Sequence, residues 1–227
     1  MSRLAEAFLD PAHDHAYVFG ALKTQLNEIQ CGRVAKRWGT SEQCPLRTRP
    51  TRGYEPGGCG SLTVCGEVSW EWEIAPEKPN GKVLEVRGIA SVRSKVWSVG
   101  DGPPAELAMW RTEVGDVGSP GCYFHQQVLG QSDSPPFPHG LSVPRLPSVI
   151  VTPMAVLEFL LGELFQDEWA KHVSRETDDT RFWQSTQRDI LLRLLDWKKR
   201  HIQKCVGSPW MALKRAKPEA ADGLFVQ

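Results

Sequence analysis

The sequence predicts an α+β fold, with an antiparallel four-stranded β-meander, an N-terminal helix, and two or more C-terminal helices packed on one face. Apolar and polar side chains alternate from Leu62 to Ile74 and again from Val83 to Val99, a pattern typical of strands with one buried face. Before and after this region, apolar residues recur with helical spacing instead. A run of strands followed by a run of helices favours the α+β class over βαβ units.

The composition is that of an ordinary globular protein. The 227 residues contain 27 Lys and Arg against 27 Asp and Glu, and 41% are hydrophobic. These values exclude a wholly disordered chain, a collagen-like chain and a strongly basic nucleic-acid coat protein. The first residues lack a signal-peptide pattern, and no apolar run reaches the ~20 residues of a membrane span. We therefore expect a cytoplasmic protein with no membrane partner.

We expect one domain that spans residues 1–227 and has five parts. These parts are an N-terminal helix and basic loop (1–60), the β-meander (61–130), a proline-rich linker (131–151), a helical part (152–206) and a tail (207–227). The first helix is predicted over Asp14 to Gln30, because its apolar residues share one helical face. Asp14 is suited to cap its start, and Gly32 lies just past its end.

The segment from Arg33 to Gly60 shows no usable periodicity and contains several prolines and glycines, so we predict a loop. Its early part is rich in cations, namely Arg33, Lys36, Arg37, Arg47, Arg49 and Arg52. With Trp38 and Tyr54, these side chains could grip a nucleic-acid backbone and stack a base. The alternative is a solvated loop balanced by acids elsewhere, which the zero net charge favours.

The two alternating strands are predicted to form a hairpin. A register with Glu73 opposite Arg87, and Glu67 opposite Arg93, would pair opposite charges on the polar face. Two further strands, Leu107 to Val114 and Gly121 to Leu129, would complete the meander. Four sequential antiparallel strands are the usual form of that motif.

The linker leads to two predicted helices. Thr152 and Pro153 suit the N-cap and first position of a helix over Met154 to His172. A second helix is predicted over about Asp179 to Cys205, and we expect the tail from Lys214 to be frayed. The second helix offers as apolar residues Phe182, Trp183, Ile190, Leu191, Leu194, Leu195 and Ile202, and its end is basic.

His125 is the main candidate for catalysis. It lies in a predicted strand beside Gln126 and Gln127, and polar groups inside a sheet must find partners. Glu113, Asp116 and Arg145 are its candidate catalytic neighbours, with carboxylates for proton transfer and an arginine for a phosphate or carboxylate. The alternative is a structural histidine whose hydrogen bonds are satisfied, and an arginine that pins the linker to the sheet.

No cofactor or metal is predicted. The six cysteines lack zinc-site spacing, so we expect mostly free thiols. The chain also lacks a dinucleotide-binding glycine motif, a Walker A sequence, a nucleophile elbow and a His-Glu-x-x-His motif.

One stretch resembles known families. From Trp110 to Trp169 the chain has Asp116, then Ser119-Pro-Gly121, Phe124-His125-Gln126 and Pro144-Arg145-Leu-Pro147, followed by an apolar helix. This layout resembles uncharacterised prokaryotic domain families encoded near toxin–antitoxin, restriction and antiviral defence genes. The resemblance implies an accessory subunit of a defence or mobile-element system that binds a partner protein or nucleic acid. The alternative is a small nuclease or toxin that acts through His125 and the nearby acids.

Overall fold

The computed structural model describes residues 1–32, 37–40, 43–77, 84–100, 102–115, 121–128, 145–218 and 224, apart from the side chains of Pro56 and Ile89. The fold is α+β, with an antiparallel sheet, an N-terminal helix and C-terminal helices, as the sequence predicts.

The described helices are α1 (Ser2–Ala5), α2 (His15–Gln30), α3 (Pro153–Val173), α4 (Asp178–Lys204) and α5 (Pro209–Arg215), with single 3-10 turns at Glu6–Phe8 and Pro56–Gly58. The strands are β1 (Arg37–Thr40), β2 (Leu46–Arg47), β3 (Val64–Pro76), β4 (Leu84–Ser98), β5 (Ala105–Val114), β6 (Phe124–Val128) and β7 (Leu146–Pro147).

The predicted four-stranded meander is present as β3 to β6, but it understates the sheet. In the described residues the strand order is β1-β3-β4-β5-β6-β7, and β2 also pairs with β3. The prediction of a loop over Arg33 to Gly60 is therefore wrong where β1 and β2 form. These strands are too short for alternation to be visible, and pairing with β3 creates them. Gly39 allows the close approach, since a Cβ there would lie 1.9 Å from the Trp70 carbonyl oxygen.

The hairpin of β3 and β4 keeps one face apolar, but the predicted charge pairing is wrong. Glu67 faces Lys95, while Arg93 faces Ser69. A register shift between Trp72 and Ile74 leaves Glu73 without a Cα partner in β4. Such a bulge changes which residues face each other without turning the strand over, so sequence alternation alone could not place it.

The helices contact the apolar face of the sheet. Trp38 of β1 donates its indole N–H to the Leu22 carbonyl of α2 at 3.2 Å. Gly66 of β3 lies against α3, where an added Cβ would be 2.7 Å from a Leu160 methyl. Phe124 of β6 meets Trp197 of α4, with ring centroids 5.6 Å apart.

The helix caps form as predicted. The Asp14 carboxylate accepts from the Tyr17 N–H at 2.9 Å, and the Thr152 hydroxyl accepts from the Ala155 N–H at 3.2 Å. Lys214 and Arg215 end α5, and Ala216 and Leu224 are buried in the core. Most of the tail predicted to fray lies outside the described residues. None of the described helices has the length and hydropathy needed to cross a bilayer.

Candidate functional site

The described candidate catalytic residues meet at the β5–β6 end of the sheet, on the face opposite α3. Antiparallel pairing sets Glu113 of β5 directly opposite His125 of β6. Strand β7 continues the sheet and places Pro147 beside His125. The histidine is only 2% exposed.

Both ring nitrogens of His125 face oxygen atoms. Nε2 lies 3.3 Å from Oε2 of Glu113, and Nδ1 lies 2.8 Å from the carbonyl oxygen of Cys122. A carbonyl oxygen only accepts, so Nδ1 carries a proton. The two contacts tie the ring to β5 and to the segment before β6.

Glu113 is held from its other side by Arg111. The Arg111 Nε lies 2.9 Å from Oε1 of Glu113, and its Nη2 donates to Oε1 of Gln127 at 2.9 Å. Burial by itself raises the pKa of Glu113, but the hydrogen bond from His125 and the charges of Arg111 and Arg145 together lower that pKa below its usual value. Glu113 is thus held as a carboxylate.

Arg145 lies next to His125, as the sequence interpretation requires. Gly121 separates the two side chains, since a Cβ on Gly121 would lie 2.7 Å from Cδ of Arg145 and 3.2 Å from the His125 ring. The structure therefore brings together three of the four predicted catalytic residues. The fourth, Asp116, lies outside the described residues.

The contacts in this cluster connect neighbouring segments of the chain. Each ring nitrogen of His125 and each carboxylate oxygen of Glu113 has a polar neighbour from the chain itself. A general base needs a lone pair directed at the substrate proton. Here those positions are used to join β5, β6 and the segment before β6.

Each arginine of the predicted nucleic-acid site that the structure describes has a partner within the chain. Arg37 lies 3.0 Å from a Glu71 carboxylate oxygen, and Arg52 donates to the Gly60 carbonyl at 2.6 Å. Arg33 and Lys36 lie outside the described residues.

Arg47 and Arg49 contact different sides of the sheet. Arg47 pairs with Glu67 at 3.6 Å on the polar face. Arg49 contacts the α3 side, where its guanidinium carbon lies 4.8 Å from the Phe165 ring centroid and it pairs with Glu168. The two cations are thus directed apart.

The rest of the polar face is also paired internally. Lys95 lies 3.1 Å from Glu106, and Trp97 donates its indole N–H to Glu67 at 2.8 Å. Trp97 of the polar face is thus held by a hydrogen bond, with the Lys95 ammonium 5.5 Å from its ring centroid. These contacts join charged and polar groups of neighbouring strands.

Sequence reasoning missed an exposed apolar surface formed by α4 and the segment around β7. It consists of Leu146, Val149, Leu191, Leu195 and Ile202, which are 39–50% exposed, and we call it the α4 border surface. The sequence identifies the three α4 residues only as apolar positions of the helix and does not distinguish exposed positions from buried ones. A sign was available, because the apolar positions of α4 cover more than the ~100° arc that one contact face needs.

Lys198 joins the two halves of the α4 border surface. Leu191, Leu195, Lys198 and Ile202 follow one another at spacings of three or four residues and so share one side of α4. The Lys198 ammonium donates to the Ser148 carbonyl. The stripe on α4 therefore runs beside the segment that carries Leu146 and Val149.

The described residues contain no group of three or more His, Cys, Asp or Glu side chains placed to hold a metal ion. None of the six cysteines forms a disulfide bond with another. Burial raises the pKa of Cys122, and the nearby Lys198 and Lys214 only partly oppose this. Cys122 is therefore held as a thiol rather than as the thiolate that a nucleophile needs.

No family model, no curated protein and no solved structure matches this chain.

Proposed function

We propose that this chain is a non-catalytic interaction subunit that binds a partner protein through the α4 border surface. The observation that carries the proposal is the exposure of five large apolar side chains on two adjoining elements. Contiguous apolar surface on a folded protein marks interaction sites more often than isolated exposed residues do. The setting in a prokaryotic defence or mobile-element system is part of the proposal and rests on the resemblance of residues 110–169.

The charges around the surface favour a partner of opposite sign. Between Arg188 and Lys204, α4 carries six Lys or Arg residues against two Asp residues. A partner segment with apolar side chains flanked by acids complements this arrangement, and such charges speed association and select the partner. An amphipathic helix of the partner would present apolar side chains at spacings of three and four residues, as in helix-in-groove recognition.

The internal pairing of the other candidate surfaces supports the same proposal. The four described arginines of the predicted nucleic-acid site contact acids or carbonyls of the chain. Releasing them for phosphate would break those contacts, whereas the α4 border surface requires no such change.

The test is quantitative capture from an extract of the native host. The bait would be the wild type, a Leu195→Asp/Ile202→Asp double variant, or Phe182→Asp as the matched control. Phe182 is 75% exposed on the same helix, so its replacement changes hydrophobicity and charge outside the α4 border surface. We expect a partner recovered by the wild type and the control and reduced at least ~30-fold by the double variant. Equal recovery with all three baits would overturn the proposal.

A second candidate function has one observation in its favour. Glu113, His125 and Arg145 are brought together, as the nuclease or toxin alternative requires. Its test is cleavage of labelled DNA and RNA with and without divalent metal, comparing wild type, His125→Ala and the control His172→Ala. We expect no cleavage by any of them. Cleavage lost only in His125→Ala would favour the enzyme.

A further inference from the structure

A cavity of about 690 Å³ lies between the apolar face of the sheet and α3. It is separate from both the α4 border surface and the His125 cluster. Its walls come from β3 to β6, from α3 and from the segment around Tyr54. This volume is within the range of small-molecule sites, which are mostly apolar with a few polar groups.

Aromatic rings form a corner of this cavity. The ring of Trp110 on β5 and that of Phe159 on α3 have centroids 6.3 Å apart and planes at 85°. Tyr54 adds a third ring to the lining. Its hydroxyl oxygen accepts from the Leu62 N–H at 2.7 Å, which fixes the position of the ring.

One carboxylate accompanies the rings. Glu163 follows Phe159 by one turn of α3, and it is the sole charged residue among the described residues that line the cavity. Ring faces attract cations through their quadrupole. A carboxylate next to such rings adds attraction for a cation and repels an anion.

We propose that this cavity binds an organic ammonium ion with an apolar body. The ammonium group lies between Glu163 and the rings of Trp110 and Phe159, and the body fills the apolar part toward Leu107 and Val128. Phenethylammonium is a suitable probe because it joins one ammonium to one ring. This inference does not depend on the proposed partner protein.

The experiment is an NMR titration that follows the indole N–H signal of Trp110, assigned with Trp110→Phe. The probes are phenethylammonium and the neutral analogue 2-phenylethanol. We expect saturable binding of the cation, with 2-phenylethanol at least ~5-fold weaker. Equal affinity for the two probes, or no saturable shift with phenethylammonium, would overturn the proposal.

Variants locate the site. Glu163→Gln should weaken the binding of phenethylammonium at least ~5-fold and leave the binding of 2-phenylethanol unchanged. Asp167→Asn is the matched control, because it removes a carboxylate from α3 that does not line the cavity. If the control weakens phenethylammonium binding as much as Glu163→Gln does, the effect comes from the net charge of the protein and the site assignment is wrong.

Discussion

At the scale of single residues, Glu113 and Glu158 offer a paired test of burial and charge. The pKa of Glu113 is lowered in the fold, so the residue contributes stability above the usual glutamate pKa. That contribution is lost as the pH falls through the lowered value. Glu113→Gln should therefore lose less free energy of unfolding between pH 7 and pH 3 than the wild type, as measured by urea denaturation.

Glu158 should behave in the opposite way. Burial raises its pKa, so its contribution to stability is present at low pH and is lost as the pH rises. Glu158→Gln should consequently lose more stability on acidification than the wild type. If the two variants respond alike, the ion-pair cluster at Glu113 does not control the acid response.

Gly39 tests the close approach of β1 to β3. A Cβ at this position would lie 1.9 Å from the Trp70 carbonyl oxygen, so Gly39→Ala should destabilise the fold by about 1–3 kcal/mol. Gly20 on α2 has no atom within 4 Å of an added Cβ. Gly20→Ala should instead stabilise by about 0.5–1 kcal/mol. Thermal unfolding of both variants measures the difference, and equal effects would contradict the register of β1.

At the scale of elements, the start of α3 depends on Thr152. Its hydroxyl caps the helix at the Ala155 N–H, and α3 contributes Leu157, Leu160 and Leu161 to the core. Thr152→Ala should lower the free energy of unfolding by about 1 kcal/mol. Thr152→Ser keeps the capping hydroxyl and should therefore retain most of that stability. A similar loss in both variants would indicate that the methyl group, and not the cap, is what stabilises α3.

The sequence predicts best those elements that are long enough to show several periods of the hydrophobic pattern. Strands β3 and β4 and helices α2, α3 and α4 each show many periods, and their caps are local signals. Strands β1, β2 and β7 are two to four residues long, so no period is visible and pairing with distant residues decides them. The bulge at Trp72–Ile74 is equally a product of pairing.

The candidate site divides in the same way. The sequence indicates that Glu113 and His125 lie in neighbouring strands, and their contact follows from the register of those strands. Exposure could not be derived so simply, because residue type does not say which apolar positions of α4 lack a neighbour. Leu195 looks like Leu194 in the sequence, yet Leu194 is 1% exposed and Leu195 is 44% exposed.

At the scale of the whole molecule, the described helices pack on one face of the sheet and the opposite face is held by paired charges. The zero net charge of the chain agrees with this pairing. The α4 border surface, by contrast, exposes large apolar side chains to solvent. We therefore propose that a partner protein binds at this surface.

Site-specific photo-crosslinking in the native host tests this proposal most directly. A benzoylphenylalanine would replace Leu195, Ile202 or, as control, Phe182, and the crosslinked products would be identified by mass spectrometry. We predict one dominant partner protein crosslinked from positions 195 and 202 and absent from position 182. No crosslinked protein from positions 195 and 202, or the same products from all three positions, would contradict the account.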